Sequence, residues 1–229
     1  MASRDEPRPA RRGPARAVVI AVAGIALIAF ASVASTGLLP VRDRLVVIGD
    51  SLSTGLGTSA EASWPVLLEH AEESGPGHLE VVNAAENGSG YVTPGDEGDT
   101  FGTEVAQFVN EDTKVVLFFG SDNDRGSPPS QITEAATAAF QAARAKAAPD
   151  ARLIVVGPPS YTVPADSELT SIRDALRTAA DRTGSAFVDP IAEAWIAGHA
   201  DELIGPDGEH PTPAGHERLA QLLEEVLAR

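Results

Sequence analysis

Five short apolar runs set the limits on what this chain can become. They are Leu45–Ile48, Leu79–Val82, Val115–Phe119, Leu153–Val156 and Ala186–Val188. Most are apolar at consecutive positions rather than alternate ones, with valine, isoleucine and phenylalanine prominent. Runs of that kind form strands buried on both faces, as the strands of a parallel sheet are. Between them, apolar residues recur at helical spacing. Trp64, Leu67, Leu68 and Ala71 share one face, with Ser63 placed to cap and Pro65 in the first turn. Val105, Phe108 and Val109 mark a short helix. Ile132, Ala136, Ala139, Phe140 and Ala143 make a longer one, and Leu169, Ile172, Leu176 and Ala180 another. Leu219, Leu222, Leu223 and Val226 form the last, opened by Thr212 as cap and Pro213 at the first helical position. Strand alternating with helix predicts one α/β domain over residues 45–229, with a parallel sheet covered on both faces.

The N-terminus reads differently. The first sixteen residues carry five arginines against Asp5 and Glu6, and are expected to be a basic cytoplasmic tail. Residues 17–39 hold no charge. They have the make-up of a signal peptide, with a small-residue site such as Ser32-Val33-Ala34, and the length of a transmembrane anchor. Arginine excess before the segment places the domain outside the cytoplasm. Residues 40–44 are a short linker. The whole chain stands at −16 despite that basic start. A domain so acidic repels phosphate backbones, which argues against nucleic-acid partners. The chain has no cysteine, so disulfides, a thiol nucleophile and thiolate zinc sites are excluded.

Four stretches carry chemistry, three of them directly after a strand, where open α/β sheets bind ligands. Gly49-Asp50-Ser51-Leu52-Ser53 follows the first strand and offers Ser51 as a nucleophile. Position 53 is not glycine, so this is not the G-x-S-x-G elbow. Asp50 reads as structural, bonding its own turn or capping a helix. Asn83 to Gly90 follows the second strand, and its glycines let backbone N–H groups approach a ligand. Gly120-Ser121-Asp122-Asn123-Asp124 follows the third, and the Asn123 amide can donate to a developing oxyanion. Asp207-Gly208-Glu209-His210 precedes the last helix. A serine hydroxyl needs a base, which His210 supplies, and Asp207 can fix the imidazole tautomer. His70, His78, His199 and His216 read as surface or satisfied core histidines. The acidic loop of Asp96, Glu97 and Asp99 reads as a solvated turn, and no metal or other cofactor is expected.

Taken together and in this order, the four stretches resemble those of the SGNH hydrolases, also called the GDSL esterase and lipase family. The resemblance implies a flavodoxin-like three-layer α/β/α sandwich with a five-stranded parallel sheet in the order 2-1-3-4-5. It implies a catalytic Ser51, Asp207 and His210. It also implies an oxyanion hole made by the Ser51 N–H, the Gly88 N–H and the Asn123 amide, with Gly90 a rival to Gly88. Two residues depart from the family pattern. Ser121 stands where the third block has glycine. Glu86 sits beside the oxyanion loop, where an inward charge would disfavour anionic substrates.

The expected reaction is hydrolysis of an ester by a serine nucleophile. The stretch between the first two strands is short and no lid with an apolar stripe follows it. That favours a small, acetyl-like acyl group on a carbohydrate or other alcohol, with membrane contact through the N-terminal segment if it is uncleaved. The alternatives are a lipase, lysophospholipase or thioesterase on the same fold, and a non-catalytic glycan-binding module.

Overall fold

A computed structural model describes residues 43–73 and 79–229. Five strands form one sheet: β1 (Asp43–Gly49), β2 (Leu79–Asn83), β3 (Thr113–Phe119), β4 (Arg152–Val156) and β5 (Ala186–Val188). Every pairing is parallel and the order is β2-β1-β3-β4-β5, as expected. β1 begins two residues before the expected Leu45. Asp43 and Arg44, expected to end the linker, pair with Leu79 and Glu80 of β2. The Arg44 guanidinium donates to the Phe108 carbonyl (3.3 Å) and sits 3.6 Å from Glu80, so the strand extends over its own charged end. The basic tail, the apolar segment 17–39 and residues 40–42 lie outside the described residues, as does His78. Among the described residues, no helix is long and apolar enough to cross a membrane.

Alternate strand residues point to opposite faces, and each face has its own core. Val46, Ile48, Val116, Phe118, Leu153 and Val155 pack on one side against α3 (Phe101–Phe108), α4 (Pro129–Lys146) and α5 (Ser167–Thr183). Leu45, Val47, Leu117, Phe119, Ile154 and Val156 pack on the other against α2 (Trp64–Glu73), α6 (Ala200–Leu203) and α7 (Pro213–Leu227). Burying each such side chain is worth about 1.5–3 kcal/mol. This is why unbroken apolar runs become central strands, while β2, at an edge, is only half-buried.

Of the two helix caps expected from the sequence, one forms and one is replaced. Thr212 caps α7, its hydroxyl accepting the Gly215 N–H at 3.1 Å. The Ser63 hydroxyl, expected to cap α2, instead donates to the Ala60 carbonyl (2.6 Å). The Trp64 N–H goes to His216 Nδ1 of α7 (3.2 Å). His216 is therefore a tertiary cap that joins the two helices, and it is fully buried. Its Nε2 has no partner among the described residues, so it is not the fully satisfied core histidine that was expected. Burial pulls its pKa down to about 4, and the ring is held neutral.

The strand order reverses between β1 and β3, because β2 lies to one side of β1 and β3 to the other. The carboxyl ends of these strands open a crevice at the reversal. Ser51, Gly88 and Asn123 all lie on loops that leave this edge.

Candidate active site

The nucleophile's turn is made by crowding. A Cβ at Gly49 would lie 2.8 Å from Ser53 Oγ, so only glycine lets the chain fold back from β1 into the four-residue helix α1 (Ser51–Thr54). Asp50 caps that helix, its Oδ1 accepting the Leu52 N–H (2.9 Å), which agrees with its structural reading. Ser51 opens α1, where an N–H has no intrahelical acceptor. The residue is 7% exposed.

Two loops close on this turn. The second-strand loop is tied to β1 by Ala84 N–H to the Val47 carbonyl (2.9 Å) and Glu86 N–H to the Gly49 carbonyl (3.1 Å). Its two glycines separate on geometry. The Gly90 N–H is spent on the Thr93 carbonyl (2.8 Å), and a Cβ there would strike Asp124 Oδ1 at 2.6 Å. Gly90 is a packing glycine. Gly88 takes a left-handed φ of +77°, and its N–H has no acceptor among the described residues. Of the two, only Gly88 can offer its N–H to a ligand.

On the third loop, Asn123 Nδ2 donates to the Ser89 carbonyl (2.8 Å) and to Asp50 Oδ2 (3.2 Å). Both amide hydrogens are engaged at rest, so an oxyanion would have to share one of them. Asp124, by contrast, is buried and accepts the N–H groups of Tyr91, Val92 and Thr93. It fastens one loop to the other. Ser121, in the family's glycine position, is also fully buried. Its hydroxyl donates to the Ser89 carbonyl (3.1 Å) and accepts the Asn123 N–H (3.0 Å).

The fourth stretch builds an acid–base pair. Asp207 Oδ2 lies 2.9 Å from His210 Nδ1, while Oδ1 accepts the N–H groups of Glu209 (3.0 Å) and His210 (3.1 Å). These bonds, the Glu209 N–H first, hold the Asp207 pKa down to about 2, so the carboxylate is charged wherever the imidazole is useful. Nδ1 serves the carboxylate and Nε2 is left to act. The Tyr161 hydroxyl donates to the Glu209 carbonyl (2.8 Å) and braces the loop from β4's side.

The loop after α1 packs against the base: a Cβ at Gly57 would be 3.0 Å from His210 Cβ. His210 is also near enough to act electrostatically on Asp50, beside the nucleophile. A cleft of about 340 Å³ lies alongside, lined by Leu52, Asp122, Arg125, Tyr161, Asp207 and Glu209; Ser51 and His210 are adjacent in sequence to its lining but do not themselves line it. No hydrogen bond joins Ser51 to His210 in this resting structure, and among the described residues the Ser51 hydroxyl has no partner. Catalytic hydrogen bonds are often long before substrate binds.

Arg125 stiffens one cleft wall. It forks onto Asp166 (3.0 Å for both bonds) and reaches Asp122 (2.9 Å). Asp166 also caps α5 through the Glu168 and Leu169 N–H groups, and its pKa is pulled down to about 2, chiefly by Arg125.

The Glu86 carboxylate turns away from the cleft. It accepts the N–H groups of Glu97, Gly98 and Asp99, with Gly98 at 3.0 Å and Asp99 at 2.9 Å. An inward charge is therefore absent at that point. Among the described residues, no group of three or more histidines and carboxylates is arranged to hold a metal ion.

A buried acid beside the nucleophile's turn was not singled out from the sequence. Glu104 of α3 is 1% exposed and touches both Gly49 and Ser89. Its signal was present in the sequence. It lies three residues after Phe101 and four before Phe108, on the apolar face of its helix, where a carboxylate is out of place.

Known proteins resemble this chain over most of its length. A family described as GDSL-like Lipase/Acylhydrolase matches residues 47–218. The GDSL lipase Rv0518 of Mycobacterium tuberculosis (strain ATCC 25618 / H37Rv) is 38% identical over 189 residues, covering 80% of this chain and 81% of that one. Esterase TesA of Pseudomonas aeruginosa is 27% identical over 183 residues, covering 77% of this chain and 84% of that one. A crystal structure of TesA superimposes with a TM-score of 0.67 at 24% identity, covering 81% of this chain and 98% of that one.

Proposed function

This chain belongs to the GDSL-like lipase/acylhydrolase family and is a carboxylic ester hydrolase, and from that premise we propose that it removes a small acyl group through Ser51. His210 Nε2 takes the Ser51 proton as Oγ attacks the ester carbonyl. The tetrahedral oxyanion is held by the N–H groups of Ser51 and Gly88, and by the Asn123 amide once it shares a hydrogen. His210 then protonates the leaving alcohol, and the acyl group stays on Ser51. Water, deprotonated by the same imidazole, releases the acid and restores the serine. Asp207 holds the ring and offsets its positive charge. The observation that carries this reading is the Asp207–His210 pair, fixed by three bonds at one side of the cleft that Leu52, next to Ser51, lines on the other.

The substrate follows from the cleft. At about 340 Å³ it is at the small end of ligand sites, which run from roughly 300 to 1,000 Å³. Its walls carry Asp122, Arg125, Asp207 and Glu209, which suit a hydroxylated alcohol better than a hydrocarbon tail. An acetyl-like group on a carbohydrate fits such a site, with Arg125 already neutralised by its own carboxylates. The basic start and uncharged segment 17–39 support an enzyme that works outside the cytoplasm, secreted or held at the membrane.

One observation favours a more lipid-like substrate. Leu56 and Val163 are the large apolar side chains most exposed among the described residues, at 41% and 79%. Leu56 precedes Gly57, which packs on His210, and Val163 follows Thr162 in the cleft wall. Turnover of p-nitrophenyl esters of rising chain length separates the two readings. Specificity is expected to peak at acetate or propionate; a peak at eight carbons or more would establish the lipase reading instead.

A further inference from the structure

The mechanism gives no task to a buried acid that touches both loops of the site. Glu104 Oε2 accepts the Gly49 N–H (3.1 Å), at the turn that presents Ser51. Its Oε1 is 2.7 Å from the hydroxyl of Ser89, the residue after Gly88. The same carboxyl group thus touches the nucleophile's turn and the oxyanion loop.

Burial without a counter-ion decides its state, since Glu104 is 1% exposed. Ser89 Oγ also lies 3.0 Å from the Gly49 carbonyl and 2.9 Å from the Glu86 carbonyl. A hydroxyl has one proton and cannot serve three acceptors. If Glu104 is neutral, its own Oε1–H donates to Ser89 Oγ, whose proton then goes to a carbonyl, while Oε2 still accepts the Gly49 N–H. If Glu104 is ionised, the Ser89 hydroxyl donates to Oε1 instead and the two carbonyls keep the N–H groups of Glu86 and Ser89, but a buried charge is left without a counter-ion. The titratable groups around it offer none. Asp50 on the nucleophile's turn and Glu86 on the oxyanion loop are acids, as is the Tyr91 phenol, and Asp124 of the third loop acts on Tyr91 in turn.

We propose that Glu104 is a positioning residue, a neutral acid that ties Gly49 to Ser89 and so sets the gap between Ser51 and the Gly88 N–H. The proposal rests on the assignment of Ser51 and Gly88 above. Burial pushes the Glu104 pKa up to about 8, so the tie holds at neutral pH and fails in mild alkali. Asp50 is pushed up to about 7 by its own burial and titrates nearby, and the two acids share their proton losses. A variant must therefore remove one ionisation and leave the other.

E104Q does so. Its carboxamide accepts from Gly49 and donates to Ser89 without ionising. The experiment measures kcat and KM on a p-nitrophenyl ester from pH 6 to 10 for the wild type, E104Q and E104A, with fluorophosphonate labelling and S51A as controls. E104A is expected to lose about 10- to 100-fold in kcat with KM little changed, the scale of a slightly misplaced site. E104Q is expected to recover kcat at pH 7 to within about threefold of wild type and to lose the fall in kcat near pH 8. Wild-type kcat in E104A overturns the proposal. So does a folded E104Q that keeps the alkaline fall, or one as impaired as E104A. If E104A does not fold, the E104Q profile decides alone. Undiminished turnover or labelling in S51A would instead remove the nucleophile assignment beneath the proposal.

Discussion

The two halves of the site hold carboxyl groups in opposite ways. On the nucleophile's side, Asp50 and Glu104 are buried among loops and pushed up to about 7 and about 8. On the base's side, Asp207 is 47% exposed and held down to about 2 by two backbone N–H groups and a ring. Residue type is nearly the same; environment sets the charge. In the first half burial outweighs the hydrogen bonds these groups accept and keeps them protonated. The second needs a full negative charge to steady an imidazolium. The site thus combines a neutral brace and a charged orienter, and each fails at a different end of the pH scale.

The largest expected effect breaks the nucleophile's half outright. S51A should lose kcat by about 10⁶-fold and all fluorophosphonate labelling, with the fold kept. D207N comes next, because it retains a side chain of the same shape and removes the charge. A loss of roughly 10²–10⁴ in kcat is expected, at the lower end if solvent steadies the ring in place of this exposed carboxylate. A D207N enzyme with wild-type turnover would show that the charged half is dispensable. N123A should cost about 10²–10³ in kcat if its amide serves the oxyanion. It also removes bonds to Asp50 and Ser89. Calorimetry should therefore show a loss of about 1–3 kcal/mol in stability. The same stability loss with turnover intact would make Asn123 a fastening alone.

The smallest effect is the sharpest test of the contrast, and its sign is opposite on the two sides. Folded Asp50 and Glu104 keep protons that the unfolded chain releases near 3.8 and 4.5. Their contribution to stability is whole below those values and is lost as pH rises through about 7 and 8. Folded Asp207 gives up its proton more readily than when unfolded. Its contribution is present above 3.8 and is lost as pH falls toward 2. Thermal midpoints between pH 5 and 9 should fall less steeply in E104Q than in the wild type. Between pH 4 and 2, D207N should flatten the curve and E104Q should not. Parallel curves for all three proteins would erase the distinction.

Much of this arrangement could be read from the chain alone because its causes are local. A strand that is apolar on both faces can only be central, so Leu45–Ile48 and Val115–Phe119 fixed the middle of the sheet. Thr212 and Pro213 marked the start of α7 by cap chemistry that needs no partner. The four functional stretches were visible because three leave the strand ends and the fourth holds its acid and base on a single turn. Partners distant in sequence were not visible. Ser63 was the obvious cap for α2, yet a histidine some 150 residues later takes the N–H of Trp64. Trp195 and Ile196 are core residues in a stretch without helical or strand period. Glu86 could be suspected of pointing inward until the loop that claims its carboxylate was in place. The double engagement of Asn123 depends on Asp50 and Ser89 meeting across two loops.

Asp166 illustrates how such double duty channels the evolution of preference. Its carboxylate takes the fork of Arg125 and also caps a 17-residue helix. Exchanging it to reshape the cleft would also forfeit the cap, worth about 1 kcal/mol. Glu209 sits in the same wall with only its backbone engaged. New tastes for substrate are cheaper to acquire at Glu209, where drift leaves the scaffold alone, than at Asp166, where every experiment in selectivity is taxed in stability.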